Sequence, residues 1–175
     1  MPNVKNGDKE KNMKCLIFSD AHGCVSNMRK ALLMHPDAEV VFFLGDGLRE
    51  VDMLASEYKD KFWIGVRGNC DLYSRFGDAE AEKTETVSLS GYKIVATHGD
   101  LYGVKYASAG LIKLALDTDA DIVLFGHTHS PYSKYVSDYE KPFYLFNPGS
   151  ISVSHGSYGI LTLKEAPFFS HGEIT

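Results

Sequence analysis

A chain of 175 residues, 44% hydrophobic, 23% charged and 12% aromatic, has the composition of a globular domain and is long enough to bury a full core. A net charge of −5, with no Lys/Arg cluster, excludes broad sequence-independent nucleic-acid binding and a basic membrane-surface helix. No apolar stretch is long enough to cross a bilayer. Cys15, Cys24 and Cys70 lack the spacing of a disulfide framework or zinc knuckle, so reduced thiols in a cytoplasmic protein are expected.

Residues 1–12 are polar and lack the apolar middle of a signal peptide; they read as a loose tail before one domain spanning 13–175. Cys15 to Phe18 forms the first apolar run. The segment Ser26 to Met34 suits a short helix, with Ser26 as its cap and Pro36 just past its end. A second run, Val40 to Leu44, precedes a segment from Leu48 to Lys59 that puts Leu48, Val51, Leu54, Ala55 and Tyr58 on one helical face. A third run covers Phe62 to Val66. These units read as right-handed βαβ crossovers in a parallel core.

The pattern then changes. Asp78 to Glu85 reads as an acidic surface loop, and Val87 to Leu89, Ser90-Gly91 and Lys93 to Ala96 as a hairpin. A helix is expected from Tyr106 to Leu116, then a run at Ile122 to Phe125. Further strands are expected at Tyr132 to Val136, Phe143 to Phe146 and Gly159 to Leu163, with Asn147-Pro148-Gly149-Ser150 as a turn between the last two. Tyr132, Tyr135, Phe143, Tyr144 and Phe146 read as strand core, not as a base-stacking platform.

Five of these runs end on residues that bind metal ions: Asp20 and His22, Asp46, Asn69, His98, and His127 and His129. Packing gives no reason for that repetition. Seven donors exceed the three or four that one zinc ion takes, whereas two ions sharing a bridging carboxylate use them all. Mixed imidazole, carboxylate and amide donors suit Mn²⁺, Fe²⁺, Zn²⁺ or Ni²⁺ better than Ca²⁺ or Mg²⁺, with Mn²⁺ the first choice. Two divalent ions, two aspartates and one hydroxide leave about one positive charge, which matches a phosphodiester monoanion better than a phosphomonoester dianion.

The ordered set Asp-x-His, Gly-Asp, Gly-Asn-Cys-Asp, His-Gly-Asp and Gly-His-x-His resembles the calcineurin-like metallophosphoesterase superfamily, most of all its small single-domain YfcE-type phosphodiesterase branch. The resemblance runs from Met13 to Leu163. It implies an α/β fold, a four-layer αββα sandwich of two mixed β-sheets flanked by helices. It also implies one ion on Asp20, His22, Asp46 and His129, and a second on Asp46, Asn69, His98 and His127, with Asp46 bridging. Asn147-Pro148-Gly149-Ser150 matches a supporting turn of the small branch.

Hydrolysis is then the expected reaction: a hydroxide shared by the two ions attacks phosphorus, with Asn69 and Cys70 as the catalytic candidates. Many relatives in the wider superfamily have His where this chain has Cys70. A neutral thiol is a weaker proton donor, so Cys70 reads either as a poor acid or as a packing residue. His35, His155 and His171 read as surface residues, and Arg67 either approaches phosphate or pairs at the surface. A small phosphodiester is the expected partner, with no membrane contact and no signal for oligomeric state. The competing readings are a scaffold of the retromer-subunit type and a phosphomonoesterase or nuclease on the same site.

Overall fold

In the computed structural model, which describes residues 12–72, 75–152 and 154–175, the first apolar run forms β1 (Met13–Phe18). Its side chains part to opposite faces, as the two-residue period of a strand requires. Leu16 and Phe18 enter one core, while Cys15 and Ile17 enter another. Both faces are buried, which is why the run is apolar throughout and does not alternate with polar residues.

Next come α1 (Val25–Met34), β2 (Val40–Phe43), α2 (Leu48–Glu57) and β3 (Phe62–Gly65), and β1, β2 and β3 pair in parallel. A two-residue hairpin, β4 (Arg75–Phe76) and β5 (Ala79–Glu80), leads to β6 (Thr84–Leu89) and β7 (Tyr92–Thr97). A 3-10 turn at Asp100–Tyr102, α3 (Ala109–Thr118), β8 (Ile122–Leu124), β9 (Pro131–Val136), β10 (Phe143–Pro148), β11 (Ser157–Leu163) and β12 (Phe168–Glu173) complete the described chain.

One sheet has the order β12-β11-β1-β2-β3 and the other β6-β7-β8-β10-β9. Both are mixed, since β11 runs antiparallel to β1 and β9 antiparallel to β10. Ile17, Phe42, Ile94, Leu124 and Phe146 fill the space between the sheets. Met28, Leu32 and Val51 of α1 and α2 cover the outer face of the first sheet, and Leu111 and Ala115 of α3 that of the second. The result is the expected four-layer αββα sandwich. Each fully buried Phe or Leu in these layers contributes roughly 1.5–3 kcal/mol.

Several local expectations are corrected. Ser26 is not the cap of α1: the helix begins at Val25 after Cys24, and no side chain caps it. α3 starts at Ala109, three residues after Tyr106, because Tyr106 to Ser108 belong to the turn that carries the chain off Asp100–Tyr102. The acidic stretch 78–85 is not all loop, since Ala79–Glu80 pairs with β4, and Thr84 and Glu85 open β6. Tyr132 and Tyr135 stand exposed on edge strand β9, while Phe143 and Phe146 are core. β12 was not expected. None of its residues is fully buried at the sheet's edge, which leaves only a weak apolar pattern. The expected polar tail falls on residues 1–11, outside the described residues, apart from Asn12.

Candidate metal centre

The parallel strands of each sheet end together, so the five motif loops meet at one rim. Backbone hydrogen bonds tie them: Asp20 N–H to the Gly45 carbonyl (2.9 Å), His22 N–H to Asp46 (3.0 Å) and Gly126 N–H to His98 (3.0 Å). Asp20, His22, Asp46, His127 and His129 all have left-handed backbone angles, with φ between 41° and 67°. Such angles cost a non-glycine residue of order 1–3 kcal/mol each and collect where geometry serves a site. Only two other described non-glycine residues, Ser90 and Asp119, share them.

Glycines let the loops close. A Cβ on Gly68 would lie 2.0 Å from Asp46 Oδ1, and one on Gly126 would lie 1.9 Å from Ser19 Oγ. Gly45 combines a φ of +96° with a hypothetical Cβ 2.9 Å from His98 Nδ1. Only hydrogen fits at these positions.

All seven candidate donors converge. Asp20, His22 and His129 form one group: His129 Nε2 is 3.1 Å from Asp20 Oδ1 and 3.4 Å from His22 Nε2. Around His98 Nε2 lie Asn69 Oδ1 at 3.0 Å, His127 Nδ1 at 3.1 Å and Asp46 Oδ2 at 3.4 Å. Asp20 also stands within reach of Asp46 and His98, so the two groups are continuous through it. The floor, formed by Asp20, Asp46 and His98, is buried, while His22, His129, Asn69 and Cys70 form an exposed rim.

The donor set fits divalent cations. Asp20 Oδ2 accepts from Ser19 Oγ–H (2.6 Å) and His127 N–H (3.1 Å), yet Oδ1 is buried with no hydrogen-bond donor. An orphaned buried carboxylate oxygen is costly unless a cation meets it. His98 Nδ1 donates to the Leu44 carbonyl at 2.7 Å, which leaves the Nε2 lone pair facing the other donors. Lone pairs this close repel unless a proton or an ion lies between them.

Electrostatics agrees. Burial works to raise the Asp46 carboxyl, but the His98 ring and the Cys70 N–H hold it well below the usual carboxylate range. Burial works to lower His98, and Asp46 with Asp20 overcomes that and raises it. The pair is ready for positive charge between its members. Cys70 is pushed up by partial burial and by Asp46, Asp71 and Asp20, so its thiol stays protonated at neutral pH. Its backbone N–H, 2.8 Å from Asp46 Oδ1, makes the firmer contact with the site.

Sequence reasoning assigned no role to Asp71. Its carboxylate accepts N–H bonds from Asp46, Gly47, Leu48 and Gly68 at 2.8–2.9 Å, locking the second and third loops together. The signal was present as the last residue of Gly-Asn-Cys-Asp. Asn147 supports the fifth loop through Nδ2 bonds to the Gly126 carbonyl and Thr128 Oγ1, and Ser150 Oγ donates to the Asp20 carbonyl. Arg67 pairs with Glu80 at 3.5 Å. His155 and His171 are exposed, and His35 is half-buried against Tyr158.

A two-sheet sandwich with imidazoles and carboxylates gathered at the strand ends is an architecture suited to holding divalent metal ions. Residues 13–166 match the model of the calcineurin-like phosphoesterase superfamily domain, and the chain belongs to that family. It is 31% identical over 157 residues to the probable metallophosphoesterase YsnB of Bacillus subtilis, covering 87% of this chain and 85% of that one. The E. coli phosphoesterase YfcE superposes with a TM-score of 0.61 at 25% identity, covering 85% of this chain and 88% of that one. Two further solved structures share the fold at lower identity. A novel archaeal phosphodiesterase has a TM-score of 0.70 at 22% identity and covers 93% and 100% of the two chains. Zinc-complexed Vps29 from Entamoeba histolytica has a TM-score of 0.61 at 19% identity and covers 92% and 99%.

Proposed function

We propose that this chain hydrolyses phosphodiesters with two divalent ions, manganese first among them. One ion is assigned to Asp20, His22, Asp46 and His129, and the other to Asp46, Asn69, His98 and His127. The observation that carries the reading is the buried, unpartnered Asp20 Oδ1 lying between two groups of converging donors. When bound, such ions acidify water and neutralise charge on the phosphoryl oxygens.

This chain's own residues supply the rest. Asn69 points Oδ1 toward His98 and its Nδ2 toward Cys70 Sγ at 3.2 Å, so the amide N–H lies on the rim where a phosphoryl oxygen arrives. Cys70, protonated and exposed, is a weak donor there, which favours esters with good leaving groups over phosphomonoesters of alcohols. The scaffold reading goes with an altered metal site. The complete donor set counts against it.

The test is a metal-loaded assay with a diester, a monoester and cyclic nucleotides, using Asp46→Ala and His98→Ala as controls. Diester turnover that depends on added Mn²⁺ and falls at least 10³-fold in both variants is expected, the scale of losing metal-assisted attack. Turnover that survives both variants would sink the assignment. Metal binding without turnover of any ester would move it to the scaffold reading.

A further inference from the structure

Asn69 Oδ1 and His98 Nε2 face each other at 3.0 Å, yet the two residues stand on different sheets. Asn69 follows β3, the edge strand of the first sheet, and His98 follows β7 of the second. Strand pairing within either sheet does not set the spacing of these two candidate ligands. Contacts between their loops must do so.

Lys83 spans that gap. It stands just before β6, where its backbone carbonyl accepts the Thr97 hydroxyl at 3.0 Å, one residue before His98. Its ammonium donates to the Gly68 carbonyl at 3.0 Å and lies 3.5 Å from Asp100 Oδ2. The side chain thus starts beside the residue that precedes His98 and ends on the residue that precedes Asn69. Next to it, the Arg67 N–H donates to the Glu82 carbonyl at 2.9 Å, which keeps the two segments side by side.

The Gly68 carbonyl belongs to the planar peptide that enters Asn69, so the ammonium fixes the orientation of that plane. The Gly68 N–H is taken by Asp71 Oδ2 at 2.8 Å, and Gly68 has no side chain of its own to limit rotation. A carboxylate holds one polar group of Gly68 and an ammonium holds the other. Asn69 itself is exposed, so the aim of its amide depends on the backbone that leads into it. An ion pair such as that with Asp100 contributes little by itself, whereas a charge-assisted bond to a carbonyl is about twice as strong as a neutral one. The Gly68 contact is therefore the one that matters.

We infer that Lys83 is a positioning residue for the ion assigned to Asp46, Asn69, His98 and His127. It acts through the Gly68–Asn69 peptide, which aims the Asn69 amide oxygen toward His98. The inference rests on the two-ion reading above. It requires Lys83 to matter to one ion and not to the other, because Asp20, His22 and His129 are carried by the first and fifth loops.

The test is calorimetric titration of the chelator-treated protein with zinc, in the wild type, Lys83→Met, Asn69→Ala and the double variant, with unfolding followed in parallel. Methionine keeps an unbranched stem and loses the donor. Asn69→Ala shows which of two bound ions belongs to Asn69. Lys83→Met is expected to weaken that same ion about 10–100-fold, the scale of removing a ligand's support, and to leave the other within about twofold. In the Asn69→Ala background the Lys83 substitution should add nothing. Lys83→Arg, which keeps a cationic donor, should fall between wild type and Lys83→Met.

Unchanged zinc affinity in Lys83→Met would overturn the inference. So would equal weakening of both ions in step with a loss of folding stability, or losses that add in the double variant. Two ions with additive losses leave the two-ion reading standing and remove the role of Lys83. A wild type that binds a single ion removes the two-ion reading. The role of Lys83 then stands if Lys83→Met and Asn69→Ala weaken that ion non-additively, and falls if they do not. A wild type that binds no zinc removes both.

Discussion

The carboxylate of Asp71 holds the backbone of Asp46 in place: Oδ2 accepts the Asp46 N–H at 2.8 Å while the same oxygen takes the Gly68 N–H at 2.8 Å. Oδ1 receives Gly47 and Leu48. Asp71 thus fixes a strained aspartate and the start of α2 together, and it also sets the approach of the loop that carries Asn69.

Replacing Asp71 with Asn gives one of those oxygens a pair of N–H groups that face two donors. Asp71→Asn is expected to cost about 2–3 kcal/mol of stability, the scale of charge-assisted bonds lost from a partly buried site. Metal affinity should fall about 10–100-fold, as when a support of a ligand is removed. Denaturant unfolding and metal titration check both. Wild-type affinity in Asp71→Asn would mean that Asp46 holds its angle without help.

The glycines that let the loops approach make a second prediction. A Cβ on Gly68 meets Asp46 Oδ1 and one on Gly126 meets Ser19 Oγ, so either Ala substitution must push a candidate ligand or its support aside. Gly68→Ala and Gly126→Ala are expected to cut metal affinity at least about tenfold. Gly91→Ala is the control: it carries a left-handed strain that Gly68 and Gly126 lack, with φ +83°, in open space at the β6–β7 turn. It should lose about 1 kcal/mol of stability and keep its metal. Equal affinity losses at all three glycines would mean that general destabilisation, not close approach, governs the site.

The third prediction concerns acid. His35 Nε2 lies 2.9 Å from the hydroxyl of Tyr158, a side chain that is almost wholly buried. Burial first, and then nearby Lys14, lower the basicity of His35, with Asp37 opposing them. The fold therefore resists a proton that the unfolded chain accepts near pH 6.5. Stability is full above that value and declines as pH falls toward the depressed folded value, where the loss levels off. His35→Gln keeps a partner for Tyr158 and cannot titrate. Its unfolding free energy should lack this part of the acid slope, read as the difference between wild-type and variant curves so that the other histidines cancel. Parallel curves from pH 7.5 to 5 would count against it.

How far the sequence carried depends on which physical signal each feature leaves. β2, β8 and β1 from Cys15 onward are buried on both faces and β3 buries its last two residues, so these runs are apolar and the donors at their ends stand out against them. β12 shows one face to solvent at a sheet edge and carries Gly172, so its pattern was lost. Asp71 works through backbone N–H groups from residues up to 25 positions away, and no local spacing records that. The cleft lined by Tyr106, Leu111, Phe125 and Tyr132 joins the approach to α3 with an edge strand, a meeting set only by the packing of the second sheet. Tyr132, read as core, is instead a wall open to solvent.

The last prediction tests the metal reading at its floor. Asp20→Asn keeps an acceptor for Ser19 Oγ and His127 N–H, and Asn tolerates the left-handed angle of this position. It replaces the unpartnered, buried Oδ1 with an amide that can donate to His129 Nε2, 3.1 Å away from that oxygen. With metal chelated, the variant should be more stable than the wild type by about 1–2 kcal/mol, because an uncompensated buried charge has gone. With Mn²⁺ at a hundred times its dissociation constant, the wild type should gain about 2.7 kcal/mol and the variant far less. The order of the two melting curves therefore reverses when metal is added. A variant weaker than wild type in both conditions would make Asp20 a structural carboxylate and leave the orphaned oxygen without its cation. A variant that gains as much from Mn²⁺ as the wild type would place the ions on the other donors alone.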